Sequence, residues 1–259
     1  MSKLHDVFAA AKAENRAVLI GYLPAGFPTK QGAIECLTSM IDGGVDIVEI
    51  GLPYSDPVMD GPTIQAAVDI SLHNGTKIVD VLDTVKAVAE TGAPTLVMSY
   101  WNPIEQFGTD KFASQMSANG GVGVITPDLT PEEAPDWIAH SDANNIDRVF
   151  LVALSSTPER IAKVAAATTG FVYAGAVMGV TGVKEAVSES VKILVEKTRM
   201  ATQLPIAVGL GVNTAQQVKE IAQYADGVIV GSAFVKAINE GGADAARTLA
   251  QELAAGLSR

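Results

Sequence analysis

The 259-residue chain predicts a (β/α)8 barrel, the TIM-barrel class, and three observations carry that expectation. Short runs rich in Val, Ile and Leu recur eight times with helical segments between them. Most runs are apolar at successive positions, which is the pattern of parallel strands covered on both faces. A Gly-rich joint feeding a strand is written three times, as GGVDIVEIG at 43–51, NGGVGVIT at 119–126 and YADGVIVG at 224–231. Glycine there supplies the left-handed residue that ends a helix. No linker or composition shift divides the chain, so residues 1–259 read as one barrel domain with extra short helices. An open doubly wound sheet is the competitor, and it lacks its dinucleotide glycine fingerprint after the first strand.

The chain opens on a helical pattern of Leu4, Val7 and Phe8, interrupted by Asp6, Lys12 and Glu14. Those charges exclude the apolar core of a signal peptide. Strands are expected at 17–23, 46–51, 95–100, 121–126, 148–154, 170–175, 204–209 and 227–231. Helical spacing marks 31–41, 78–89, 158–167 and 215–224. In the first of these, Cys36 sits among Ile34, Leu37, Met40 and Ile41 and reads as helix packing.

Composition narrows the function. Acidic residues outnumber basic ones, leaving −11 charges, and only 5% of residues are aromatic. Neither the charge nor the stacking surface suits nucleic acid. A lone cysteine makes no internal disulfide and no cysteine-cluster zinc site, which fits a reducing compartment. No apolar run reaches the roughly 18 residues of a membrane helix, so a cytoplasmic protein is expected.

In such a barrel the active site lies at the C-terminal strand ends. Glu49 interrupts the second strand, and a buried carboxylate needs either a cationic partner or a chemical purpose. The expected strand-end segments hold no basic residue to partner it. Burial would raise its pKa, which suits a group that both donates and accepts a proton. Asp60, before a helix expected from Pro62, is either a cap or a chemical group. Strands seven and eight run into GLGVN at 209–213 and GSA at 231–233, each expected to open a helix. Glycine lets the backbone approach an anion there, and helix-start N–H groups bind it without Lys or Arg. The three histidines lie away from strand ends, so no His-ligated metal is expected, and no strand-end Lys supports a Schiff base. The residues alone lead to a metal-free phosphate-binding barrel with a buried acid–base Glu.

The stretch VEIGLPYSDPVMDGPTIQ at 48–65 closely resembles the signature of the tryptophan synthase alpha subunit family. GVTG at 179–182, GLG at 209–211 and GSA at 231–233 join it in order. The resemblance implies retro-aldol cleavage of indole-3-glycerol phosphate to indole and glyceraldehyde 3-phosphate, a carbon–carbon lyase step of tryptophan biosynthesis. It gives catalytic roles to Glu49, as proton carrier, to Asp60, which stabilises the ring N–H, and to Tyr173. Tyr22 and Tyr100 would pack the indole ring, Thr181 would also bind the substrate, and Gly182, Gly211, Gly231 and Ser232 would hold its phosphate. It also implies a beta subunit in an α2β2 heterotetramer, contacted through Tyr54, Asp56, Pro57, Val58 and Met59, with those apolar side chains exposed. Pyridoxal phosphate would belong to that partner, and this chain would carry no cofactor. Another metal-free phosphate-binding barrel enzyme and a non-catalytic regulatory subunit are the alternatives.

Overall fold

In the computed structural model, residues 2–175, 184–209 and 211–259 are described, with backbone alone at 184–188. Helix α1 (Lys3–Ala13) precedes strand β1 (Val18–Pro24), α2 (Lys30–Asp42) and β2 (Ile47–Gly51). Two helices, α3 (Pro62–His73) and α4 (Ile78–Ala89), lead to β3 (Thr95–Met98). Another two, α5 (Trp101–Phe107) and α6 (Thr109–Ala118), lead to β4 (Gly123–Ile125). Then come α7 (Pro135–Ala143), β5 (Asp147–Val149), β6 (Leu151–Ala153), α8 (Pro158–Ala167) and β7 (Val172–Gly175). The chain finishes with α9 (Lys184–Ala201), β8 (Ile206–Gly209), α10 (Ala215–Ala222), β9 (Gly227–Val230) and α11 (Ser232–Ala254). Four helices start where a side chain satisfies a free backbone donor. Ser2, Thr29, Thr157 and Thr214 each accept the N–H three residues on, a cap that contributes about 1 kcal/mol.

All strands pair in parallel, in the order β5-β4-β3-β2-β1-β9-β8-β7-β6. The (β/α)8 expectation holds with one difference. The fifth run, expected as a single strand over 148–154, is broken at Phe150, so β5 pairs with β4 and β6 with β7. Chain continuity across Phe150 joins the two edges of the sheet. The third expected strand ends early because Tyr100 becomes the N-cap of α5.

The Gly-rich joints prove to be two devices. Gly44 and Gly120 have φ of +108° and +80° and end their helices in the left-handed region. The third joint differs: Gly227 lies within β9, where a Cβ would press on Ala207 at 3.0 Å. Its smallness is a matter of packing inside the barrel.

Two apolar cores result. The larger fills the space between strands and outer helices and takes in Cys36, which is 3% exposed. The smaller fills the barrel with Ile20, Ile47, Leu96, Phe171, Ala207 and Ile229, among others, and α1 closes its lower end with Leu4, Phe8 and Ala11. Strand side chains alternate in direction. The residues two places further on, Tyr22, Glu49, Met98, Tyr173, Gly209 and Gly231, therefore form the next layer toward the C-terminal ends. No helix among the described residues is long and apolar enough to cross a membrane.

Candidate active site

That layer is the floor of a cleft of about 410 Å³, lined by all six of those residues. Its side is made by Met59, Asp60, Gly61, Pro62 and Ile64 and its far rim by Gly175, Gly211 and Ser232, with Ile229 reaching it from the layer below. Among these lining residues none is basic.

Glu49 is 1% exposed, and its Oε2 has no hydrogen-bond partner among the described residues. Burial, and then the negative charge of Asp60, pushes its carboxyl up to about 8. The buried ion pair that would have explained Glu49 structurally is not there: no salt bridge among the described residues includes it. Tyr173 and Tyr22 flank the carboxyl, and both phenols are driven well above their usual range. Burial is the main cause for each, followed for Tyr173 by Glu49 and Asp60 and for Tyr22 by Asp60 and Glu49.

Asp60 does not cap α3. The N-cap is Gly61, with no side-chain hydrogen bond, and Pro62 needs none for its missing N–H. Asp60 is instead held at the cleft, its main-chain carbonyl accepting from Gln65 Nε2 at 2.7 Å. Its carboxyl is raised by burial and drawn back down by a hydrogen bond from the Tyr100 hydroxyl. That hydroxyl also accepts the Met59 N–H at 2.9 Å. Tyr100 is thus a brace for the Asp60 loop and is not among the residues lining the cleft. A further support escaped sequence reasoning: both carboxylate oxygens of Asp128 accept the Trp101 N–H, at 2.9 and 3.1 Å, fixing the residue next to Tyr100. An Asp following a strand end was its only signal.

Two glycines shape the floor by what they lack. A Cβ on Gly51 would collide with the Tyr22 hydroxyl, and one on Gly209 with the Tyr173 hydroxyl. Gly231 also lies against the Tyr22 ring, 3.0 Å from a built Cβ.

The anion-binding features are placed unequally. Gly231 is the N-cap of α11 and Ser232 its first residue, so unbonded N–H groups of a helix start lie at the rim. Gly211, at φ +62°, belongs to the connector before α10, which starts only after Thr214. Thr181 and Gly182 lie outside the described residues. Along the 52–60 loop Val58 is 78% exposed and Asp56 is exposed, accepting from Ser55 Oγ at 2.6 Å. Pro57 is half-buried. Tyr54 and Met59, expected to be exposed, are half-buried, because the Tyr54 ring packs 5.7 Å from that of Tyr100 and Met59 lines the cleft. No group of three or more His, Cys, Asp or Glu able to hold a metal occurs among the described residues.

Comparison with known proteins gives a consistent picture. Residues 8–257 match the family described as tryptophan synthase alpha chain. The tryptophan synthase alpha chain of Mycobacteroides abscessus is 52% identical over 257 residues, covering 99% of this chain and 98% of that protein. That of Acidothermus cellulolyticus is 53% identical over 262 residues, covering 100% and 98%. Among solved structures, tryptophan synthase from M. tuberculosis in its aminoacrylate- and BRD0059-bound form superposes with a TM-score of 0.94 at 46% identity, covering 100% of this chain and 99% of the other. The alpha subunit from Legionella pneumophila str. Paris gives 0.91 at 28% identity, covering 99% and 98%.

Proposed function

This chain belongs to the tryptophan synthase alpha chain family, and from that premise we propose how its cleft cleaves indole-3-glycerol phosphate into indole and glyceraldehyde 3-phosphate. The observation that carries the reading is the unpartnered, proton-holding carboxyl of Glu49 on the floor of a cleft whose rim is a helix start.

Cleavage requires carbon 3 of the indole ring to gain a proton and the neighbouring side-chain hydroxyl to lose one. Glu49 performs this exchange. Its carboxyl near 8 is matched to both directions of transfer near neutral pH. Protonating carbon 3 leaves positive charge on the ring, and Asp60 accepts the ring N–H and offsets that charge. Burial raises the Asp60 carboxyl, and the Tyr100 hydroxyl offsets part of that rise while aiming the group. Tyr173, beside Glu49, remains a phenol and therefore a hydrogen-bond donor. Tyr22, Met98 and Ile64 give the ring an apolar seat. The phosphate is held by backbone N–H groups at Gly231, Ser232 and Gly211, with Thr181 and Gly182 as further contacts. That no described lining residue is cationic fits this, since a helix start supplies positive potential without side-chain charge.

Indole then passes to a beta subunit in an α2β2 assembly, where pyridoxal phosphate belongs to the partner. Exposed Val58, with Asp56 and Pro57 beside it, supports docking through the 52–60 loop. Tyr54 and Met59 act from beneath by holding its shape. A cytoplasmic setting follows from this role. The test is indole release by Glu49→Gln with substrate-analogue binding measured in parallel: lost release with binding retained is expected, and near-normal turnover would overturn the assignment. Activity on phosphorylated sugars alone would indicate a different phosphate-binding barrel enzyme. No activity with or without beta subunit would indicate a regulator.

A further inference from the structure

A second cavity, of about 530 Å³, lies at the opposite end of the barrel from the catalytic cleft. One wall is α1, whose His5, Phe8, Ala9 and Lys12 recur along one helical face. The other wall is the last turn of α9, with Arg199, and the turn from α9 to β8, with Leu204 and Pro205, and Asp226 and Arg259 complete it. The volume lies in the range of ligand pockets, roughly 300–1,000 Å³.

Its charge is unlike that of the chain as a whole. Four cations, Lys12, Arg16, Arg199 and Arg259, line it against a single carboxylate, Asp226. Arg16 is already neutralised, by two bonds to Asp46 at 2.9 and 3.0 Å and one to Glu14 at 2.7 Å. Asp226 is fully engaged, accepting the Ile206 N–H at 2.9 Å and Arg199 at 2.5 Å, with Arg259 at 3.5 Å. Two guanidinium groups therefore share one carboxylate. Lys12 is exposed, and its ammonium group is in no ion pair among the described residues. In a protein of net charge −11, the cavity thus holds an excess of positive charge beside an apolar surface made by Phe8, Ala9, Leu204 and Pro205.

We propose that this cavity binds a small flat organic monoanion, an aromatic carboxylate, with its head between Lys12 and the Arg199–Arg259 pair and its ring on Phe8 and Pro205. Both halves of the ligand are required by the lining. Inorganic phosphate would answer the cations and leave the apolar surface uncovered, whereas a neutral aromatic would cover that surface and leave the cations unanswered.

The probe is naphthoate, titrated calorimetrically into the full chain, with naphthol and inorganic phosphate as parallel arms. Naphthoate is expected to bind saturably at one site per chain, and the other two at least about tenfold more weakly. Lys12→Glu should weaken naphthoate about tenfold, the worth of one charge-assisted contact. Ala9→Trp, which fills the cavity from an exposed helix position, should abolish binding. Neither residue touches the catalytic cleft, so indole release by both variants should equal that of the parent, and their unfolding midpoints report intact folding. Undiminished binding to Ala9→Trp would place naphthoate elsewhere and overturn the proposal. So would equal binding of naphthol, no effect of Lys12→Glu, or no saturable binding by the parent.

Discussion

Tyr22 and Glu49 stand opposite one another in the parallel register of β1 and β2, so a phenol and a carboxyl share one level of the barrel floor with Asp60 close enough to affect both. Burial first, and then the like charge of Asp60, makes each acid hold its proton more tightly. The register, set by alternation along two neighbouring strands, places the carboxyl on the buried floor, and that burial makes it the proton-holding group that the reaction needs. Replacing Glu49 by Gln keeps the shape and removes the transferable proton. Indole release should fall by at least about 100-fold, the scale of a lost general acid–base group, with analogue binding changed little.

The same carboxyl makes stability depend on pH. It titrates near 8 in the folded chain against 4.5 when unperturbed. Below the lower value it is protonated in both states and contributes no difference. Between the two values the unfolded chain gives up a proton that the folded chain keeps. Stability therefore falls as pH rises through that window, by on the order of 1 kcal/mol per pH unit. Unfolding midpoints of Glu49→Gln should fall less steeply over this range and lie above the parent's near pH 8. Parallel curves for the two proteins would contradict the raised pKa.

Tyr100→Phe removes the hydroxyl that accepts the Met59 N–H and lowers the Asp60 pKa. Asp60 then rises further, so the acid limb of the indole-release profile should move to higher pH. Turnover at neutral pH should drop about tenfold, equivalent to one lost hydrogen bond of about 1.4 kcal/mol. A pH profile measured as kcat/KM separates this from a merely loosened loop, which would lower the curve without moving its limb.

Gly209→Ala places a methyl group where the Tyr173 hydroxyl lies. The ring must move, and overpacking of this kind costs about 1–3 kcal/mol. Loss of turnover should exceed loss of stability, because the displaced group faces Glu49. Combining the substitution with Tyr173→Phe should recover part of the stability and none of the lost turnover. Thermal unfolding and indole release measured on the two variants decide it.

Val58→Asp tests the docking loop. The side chain is 78% exposed, so the isolated chain should keep its unfolding midpoint and basal indole release. Affinity for a beta subunit should fall at least about tenfold, the worth of one buried apolar contact replaced by an unpaired charge. Co-elution on a sizing column, followed by titration calorimetry, measures it.

The barrel was legible because its strands are apolar on both faces and its helices repeat between them. Two helices, 78–89 and 158–167, were read to the residue. Glu49 was legible for the opposite reason, as a charge where the pattern demands none. The break at Phe150 was not legible, since the residues around it form an unbroken apolar run and the break comes from two different neighbours pulling on one strand. Nor was the reason for Gly51 and Gly209, which depends on tyrosines on adjacent strands. The residues alone left Asp60 as either a cap or a chemical group, because local sequence does not reveal that Tyr100, forty residues on, holds it elsewhere. The cavity under α1 is assembled from residues near 5–16, 199–205, 226 and 259, a separation that no short motif records.

The break at Phe150 makes the barrel a wall with a seam. Every other junction between neighbouring strands is one continuous ladder, whereas this strand changes partner at Phe150, with only a few bonds, such as Thr169 N–H to the Arg148 carbonyl and Tyr173 N–H to the Phe150 carbonyl, bridging the change. A stave tied to one neighbour below the seam and to the other above it can part with the fewest bonds broken. Amide protons of residues 147–153 should therefore exchange with solvent ahead of those in β1 and β2, and the barrel should breathe there rather than at the strands that carry Tyr22 and Glu49.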